Sequence, residues 1–168
     1  MAEKKNNPYK EALDEIVCQV MEQTAFVFPE PADLSEGVSL DELEMLIASL
    51  SFSGEKDGEV SLAASVDFCI ELSANLLGRE MDETSSREEY SDAAKEMLNI
   101  ITGQLLTRIF GEEAVFNLTA PRIRNVSGDE LFSMIERNVY SFNMADEHPV
   151  LVTLTLSEKA HEHQSSDS

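Results

Sequence analysis

The sequence predicts an α+β domain, with helices packed on an antiparallel sheet. Three observations carry this. Apolar residues recur at helical spacing over two long stretches, 8–24 and 88–110. Two pairs of strand-like segments, 44–53 with 59–66 and 134–144 with 150–157, are each joined by a short polar turn, as in hairpins. Helices and hairpins are grouped along the chain instead of alternating singly, which favours an antiparallel sheet over a parallel one.

Each element has a local reason. Asn7 followed by Pro8 is a helix start, a capping residue before a proline in the first turn. Leu13, Ile16, Val17, Val20 and Met21 then give the apolar stripe of an amphipathic helix. A short apolar run, 25–28, ends at Pro29 and Pro31, and 32–41 reads as acidic loop. In the first hairpin, residues 54–58 form the turn, and Val60, Leu62 and Ala64 alternate with Glu59, Ser61 and Ala63 as in a half-buried strand. Asp67 is a candidate cap for a helix over 68–77 that stops at Gly78. Polar loop covers 79–87, and the long helix 88–110 closes at Gly111. Residues 114–119 read as a strand broken by Pro121, and 122–127 as a second extended piece. The last hairpin turns at 145–149. One domain over 1–158 is expected, with 159–168 as a disordered polar tail.

Composition narrows the function classes. The chain has 168 residues, 33 Asp and Glu against 12 Lys and Arg, and a formal charge of −21. Such an acidic balance argues against nucleic acid and against an anionic membrane surface, both of which would repel it. No run of 18 apolar residues occurs, and the first residues lack the apolar segment of a signal peptide, so a cytoplasmic location is expected. Cys18 and Cys69 then read as free thiols. No cysteine–histidine cluster suggests a metal, and His161 and His163 in the tail lack a third ligand.

One helix face stands out. On a helical wheel of residues 92–105, Ala94, Leu98, Ile101 and Leu105 fall on one side. Asp92, Glu96, Asn99 and Gly103 fall on the other, within an arc of roughly 60°. Two acids one turn apart repel each other, Asn competes with helix, and Gly costs about 1 kcal/mol against Ala. Poor helix formers on the solvent face of a strong helix point to a surface selected for something besides stability. Both acids would sit in water, so a paired-carboxylate acid–base site has nothing to tune it. Gly103 would let another backbone come close, which favours a docking surface over a pocket.

Asp92-x-x-x-Glu96-x-x-Asn99, with Pro121 after 21 intervening residues, resembles the signature of the CheC/CheX chemotaxis phosphatases. The stretch 54–78 is similar to that family's Gly-rich hairpin and following helix, and 99–106 to its run of Asn, hydrophobic residues and Gly. The likeness spans about residues 10–157. A second copy of the motif fails around 67–78: Asp67 and Glu71 have the spacing, but position 74 is Ala and the Asn falls at 75, about 100° off. One motif makes the chain CheX-like.

The resemblance implies a phosphatase for the phospho-aspartate of a CheY-like response-regulator receiver domain, in chemotaxis or two-component signalling. Asn99 would orient the attacking water and Glu96 would salt-bridge the receiver's active-site Lys. Asp92, Gly103 and Pro121 would shape the site. No cofactor or metal is implied on this chain; the receiver would bring its own divalent metal, Mg²⁺. A homodimer is implied as well, and the β-edges of the C-terminal hairpin need cover. The alternative is a non-catalytic module that docks a response regulator, or a flagellar-switch-type scaffold.

Overall fold

The computed structural model describes residues 7–33, 40–78 and 86–157. Its first element, α1 (Pro8–Ala25), starts where expected: the Asn7 side chain accepts from the Tyr9 N–H at 2.9 Å. Next come β1 (Glu30–Pro31), β2 (Met45–Gly54) and β3 (Asp57–Ser65). The β2–β3 ladder ends at Phe52 paired with Gly58, which leaves 53–57 as the connection, within one residue of the 54–58 turn of the sequence reading, and the Asp57 carboxylate accepts from the Gly54 N–H at 3.3 Å across it. α2 (Val66–Leu77) is capped by Ser65, whose Oγ accepts from the Phe68 N–H at 3.1 Å, and not by Asp67, which instead lies in the first turn. An acid there still suits the helix dipole. Of the expected loop 79–87, residues 79–85 lie outside the described residues, as do 34–39 of the acidic loop and the whole tail 159–168.

α3 (Arg87–Phe110) is followed by β4 (Phe116–Leu118) and β5 (Arg122–Val126). Both lie along one edge of β2, β4 against Phe52–Gly54 and β5 against Met45–Ser49. The register slips by one residue between them: Phe52 faces Leu118, but Ser49 faces Arg122. Pro121 sits at that bulge, where a residue with no N–H interrupts the ladder at least cost.

The chain ends with a helix the sequence reading missed, α4 (Gly128–Arg137), and the strands β6 (Val139–Ala145) and β7 (His148–Ser157). Residues 134–137, read as strand, belong to α4. Ser127 caps it by accepting from the Glu130 N–H at 3.2 Å. The β6–β7 turn is tighter than expected: only Asp146 and Glu147 occupy it, at φ of 49° and 70°. Left-handed backbone at both positions is what a two-residue hairpin turn demands.

All strands pair antiparallel in one sheet of order β1-β6-β7-β3-β2-β4, with β5 also on β2. α1, α2 and α3 cover one face, burying Leu46, Leu50, Val60, Leu62, Val152 and Leu154. Leu131 of α4 sits on the other face, over Met45, Ile47, Ala63, Phe142 and Leu151. This second layer corrects the half-buried reading of 59–66: Ser61, Ala63 and Ser65 are as buried as Val60 and Leu62. Of these residues only Glu59 stays exposed.

Candidate functional site

α3 positions the site. Ser86 and Glu89 form a capping box, the Ser86 Oγ accepting from the Glu89 N–H and the Glu89 carboxylate from the Ser86 N–H, both at 3.2 Å. That fixes the helix start without using any residue of the polar face. Ala94, Leu98, Ile101 and Leu105 are buried against the sheet, as the wheel predicts, joined by Ala93, Met97 and Leu106. With that face locked into the core, the opposite face has one orientation. Asp92, Glu96 and Gly103 are exposed along it, and Asn99 is half-buried among them.

Gly103 is the informative glycine. A Cβ built there meets nothing within 4 Å, and its backbone is not left-handed. At Gly58, by contrast, a Cβ would lie 2.3 Å from the Thr155 carbonyl oxygen. Gly58 is demanded by the fold and Gly103 is not. The dip at Gly103 is kept open toward solvent, and the Thr107 hydroxyl donates to the Gly103 carbonyl at 3.0 Å just beyond it.

Toward α1, the Asn99 face drops into a groove of ≈ 560 Å³. Ile16 and Gln19 of α1 form one wall, and Asn99, Ile100, Gly103 and Gln104 of α3 the other. Arg108, at the far end of the groove, bridges from α3 to Glu15 of α1. The sequence reading did not find this wall. α1 and α3 are distant in the chain, and no local pattern shows which face of one meets the other.

The remaining candidates separate. Pro121 comes from the β4–β5 junction, where it is half-buried and breaks the ladder. Glu71 of the incomplete second motif is not free. Its carboxylate lies 3.4 Å from the His148 Nε2. Burial, and then Asp146 through its charge and a hydrogen bond, push the Glu71 carboxyl above its ordinary range. The thiols are not activated either: burial pushes Cys69 up to about 12, and burial with Glu22 and Asp14 raises Cys18. Among the described residues no three His, Cys, Asp or Glu side chains converge as metal ligands, and no helix is long and apolar enough to cross a membrane.

An exposed acid and a half-buried amide one turn apart, beside a glycine the fold does not require, make a surface suited to enter another protein's site. The chain alone offers no activated nucleophile there. The family model "Chemotaxis phosphatase CheX" matches residues 46–133, more than half of the chain and all of α2 and α3. No curated protein sequence matches. Among solved structures, CheX from Vibrio vulnificus is similar with a TM-score of 0.68 at 12% identity, covering 92% of this chain and 100% of that one. CheX from Desulfovibrio desulfuricans gives 0.66 at 16%, covering 90% and 100%. The CheX of a CheX–CheY–BeF₃–Mg²⁺ complex from Borrelia burgdorferi gives 0.60 at 15%, covering 91% and 100%. At such identities the structures establish the shared fold, and the family match goes further: the chain belongs to the CheX family of chemotaxis phosphatases.

Proposed function

We propose that this chain hydrolyses the phospho-aspartate of a CheY-like receiver domain, in chemotaxis or a related two-component circuit in the cytoplasm. The observation that carries the reading is the free row on α3: Glu96 and Asn99 one turn apart, unburdened by the fold, with open space over Gly103. The family match and the receiver-bound relative from Borrelia burgdorferi support the choice of partner.

An aspartyl phosphate is an acyl phosphate with a good leaving group. Water attacks phosphorus, the bond from phosphorus to the aspartate oxygen breaks, and inorganic phosphate departs as the carboxylate is restored. The receiver's Mg²⁺ and Lys neutralise the phosphoryl oxygens. What remains is to hold water in line, and the Asn99 amide can do so because it both donates and accepts without adding charge beside the phosphoryl group. This is catalysis by positioning, with no covalent intermediate on this chain. Glu96 pairs with the receiver's Lys and sets the relative orientation of the two proteins. Asp92 and Gly103 shape the surface around them, and Pro121 acts through the sheet edge.

The chain also pairs with a second copy of itself in this reading. Phe26 and Phe28, 73% and 65% exposed, stand beside the two-residue edge strand β1 and form the apolar surface such a dimer would cover. Sedimentation at tens of micromolar tests it: a dimer is expected, and a species of 18.7 kDa would remove the dimer without touching the catalytic proposal.

The direct test of activity is phosphate release from receivers charged with acetyl phosphate, with and without this chain. Faster release from at least one CheY-like receiver is expected. Tight binding with no acceleration would make the chain a receiver-docking scaffold instead.

A further inference from the structure

The groove between α1 and α3 shares Asn99 and Gly103 with the exposed row, so whatever docks on that row also meets the groove. Its lining has a definite chemistry. Gln19, Asn99 and Gln104 present side-chain amides, each able to donate and to accept. Ile16 and Ile100 supply apolar floor, and at Gly103 no side chain stands in the way. Amides around an apolar floor, with a gap where a Cβ would project, match a polypeptide main chain, which offers alternating N–H and C=O groups and needs close approach.

Charge singles out the same place. At −21 overall, most of this surface repels an acidic partner, and a receiver's phosphorylation site is itself acidic. The groove lining contains no carboxylate. Glu15 of α1, beside the groove, is answered by Arg108. We infer that the α1–α3 groove takes an extended loop of the partner receiver, main chain first, next to its phosphorylated aspartate, and that Gln19 and Gln104 are the residues that read it. The inference rests on the receiver reading above. It adds α1 to the docking surface and makes Gln19 a specificity-determining residue.

The test is binding to a CheY-like receiver loaded with beryllofluoride and Mg²⁺, which stand in for the phosphoryl group and its metal, so that affinity is read without turnover. Gln19→Glu and Gln104→Glu keep size and shape but place a carboxylate in the groove. Ser133→Glu adds the same charge on exposed α4, on the other face of the sheet. Expected is a Kd about tenfold weaker for each groove variant than for Ser133→Glu, the scale of a misplaced charge at an interface. Thermal midpoints should match among the three, and Arg108→Gln, which leaves Glu15 unanswered, should weaken binding in the same direction. Equal affinities for the groove variants and Ser133→Glu overturn the inference. Phosphate release measured in parallel keeps the two proposals apart. Weakened binding without any hydrolysis by the unmodified chain leaves the groove assignment standing and removes the phosphatase. Hydrolysis that is indifferent to Gln19 and Gln104 does the reverse.

Discussion

Two helices of this protein carry nearly the same row of residues, and the structure treats them oppositely. On α3, Asp92, Glu96 and Asn99 lie on a face that the fold does not use. On α2, Asp67 and Glu71 have the same spacing, but position 74, where the amide would belong, is a buried Ala, and Asn75 is turned aside. Glu71 is engaged by His148 and Asp146 from the β6–β7 turn. The two rows would be hard to tell apart by composition. They differ in what each side chain already does for the fold: the acid of α2 holds a hairpin, and the acids of α3 stand exposed.

That contrast can be broken at its strongest point first. Asn99→Ala should lower receiver dephosphorylation by 10²–10³, or about 3–4 kcal/mol, the usual loss when one preorganised polar group leaves a transition state. Asn75→Ala, the corresponding change on α2, should leave phosphate release unchanged. Equal effects of the two would erase the distinction between the rows.

Glu96→Gln should have the next largest effect and a different signature. Loss of a charge-assisted contact weakens receiver binding as well as rate, by roughly tenfold or more in KM. Gly103→Ala sharpens the comparison more finely. It should stabilise the protein by about 1 kcal/mol in denaturant unfolding, since Ala is the better helix former and its Cβ meets nothing. Receiver affinity should fall severalfold at the same time. A variant that is more stable and binds less well would mark the position as chosen for the partner.

The smallest expected effect lies on α2. Burial and Asp146 raise the Glu71 carboxyl, so its protonated form is favoured by the fold. A group raised in the folded state contributes stability below its ordinary value, here 4.5, and loses that contribution as pH rises through the folded value. Glu71→Gln keeps the hydrogen bonding and cannot ionise. The stability difference between wild type and Glu71→Gln should therefore drift against the wild type as pH rises from 4 upward through the carboxylate range, read by urea unfolding at each pH. A flat difference would contradict the raised Glu71 carboxyl.

How legible each part was follows from how local its cause is. The α3 row could be read directly, because Leu98, Ile101 and Leu105 fix one face by periodicity and thereby define the other. Asn7-Pro8 and Gly78 likewise act within a single turn. α4 was hidden because its ten residues carry only a short apolar stripe, Leu131, Met134 and Ile135, running straight into the strand of Val139 and Phe142. The signal that would have found it was Ser127 three residues before Glu130, a helix start of the same kind as Ser86 and Glu89. The burial of Ser61 and Ala63 could not be read without α4, since alternation reports one covered face and says nothing of the other. The groove beside Asn99 is a tertiary fact: Gln19 and Gln104 are unremarkable on their own helices and meet only through packing.

In the proposed function, Asn99 acts on bound phospho-receiver and does nothing for the fold. Its most direct test is a single-turnover decay, with phosphorylated receiver fully bound by an excess of wild type or of Asn99→Ala. The account predicts that the receiver bound to Asn99→Ala loses phosphate at close to its own unassisted rate, while the receiver bound to wild type loses it 10²–10³ times faster. Decay as fast with Asn99→Ala as with wild type, at equal saturation, would contradict it.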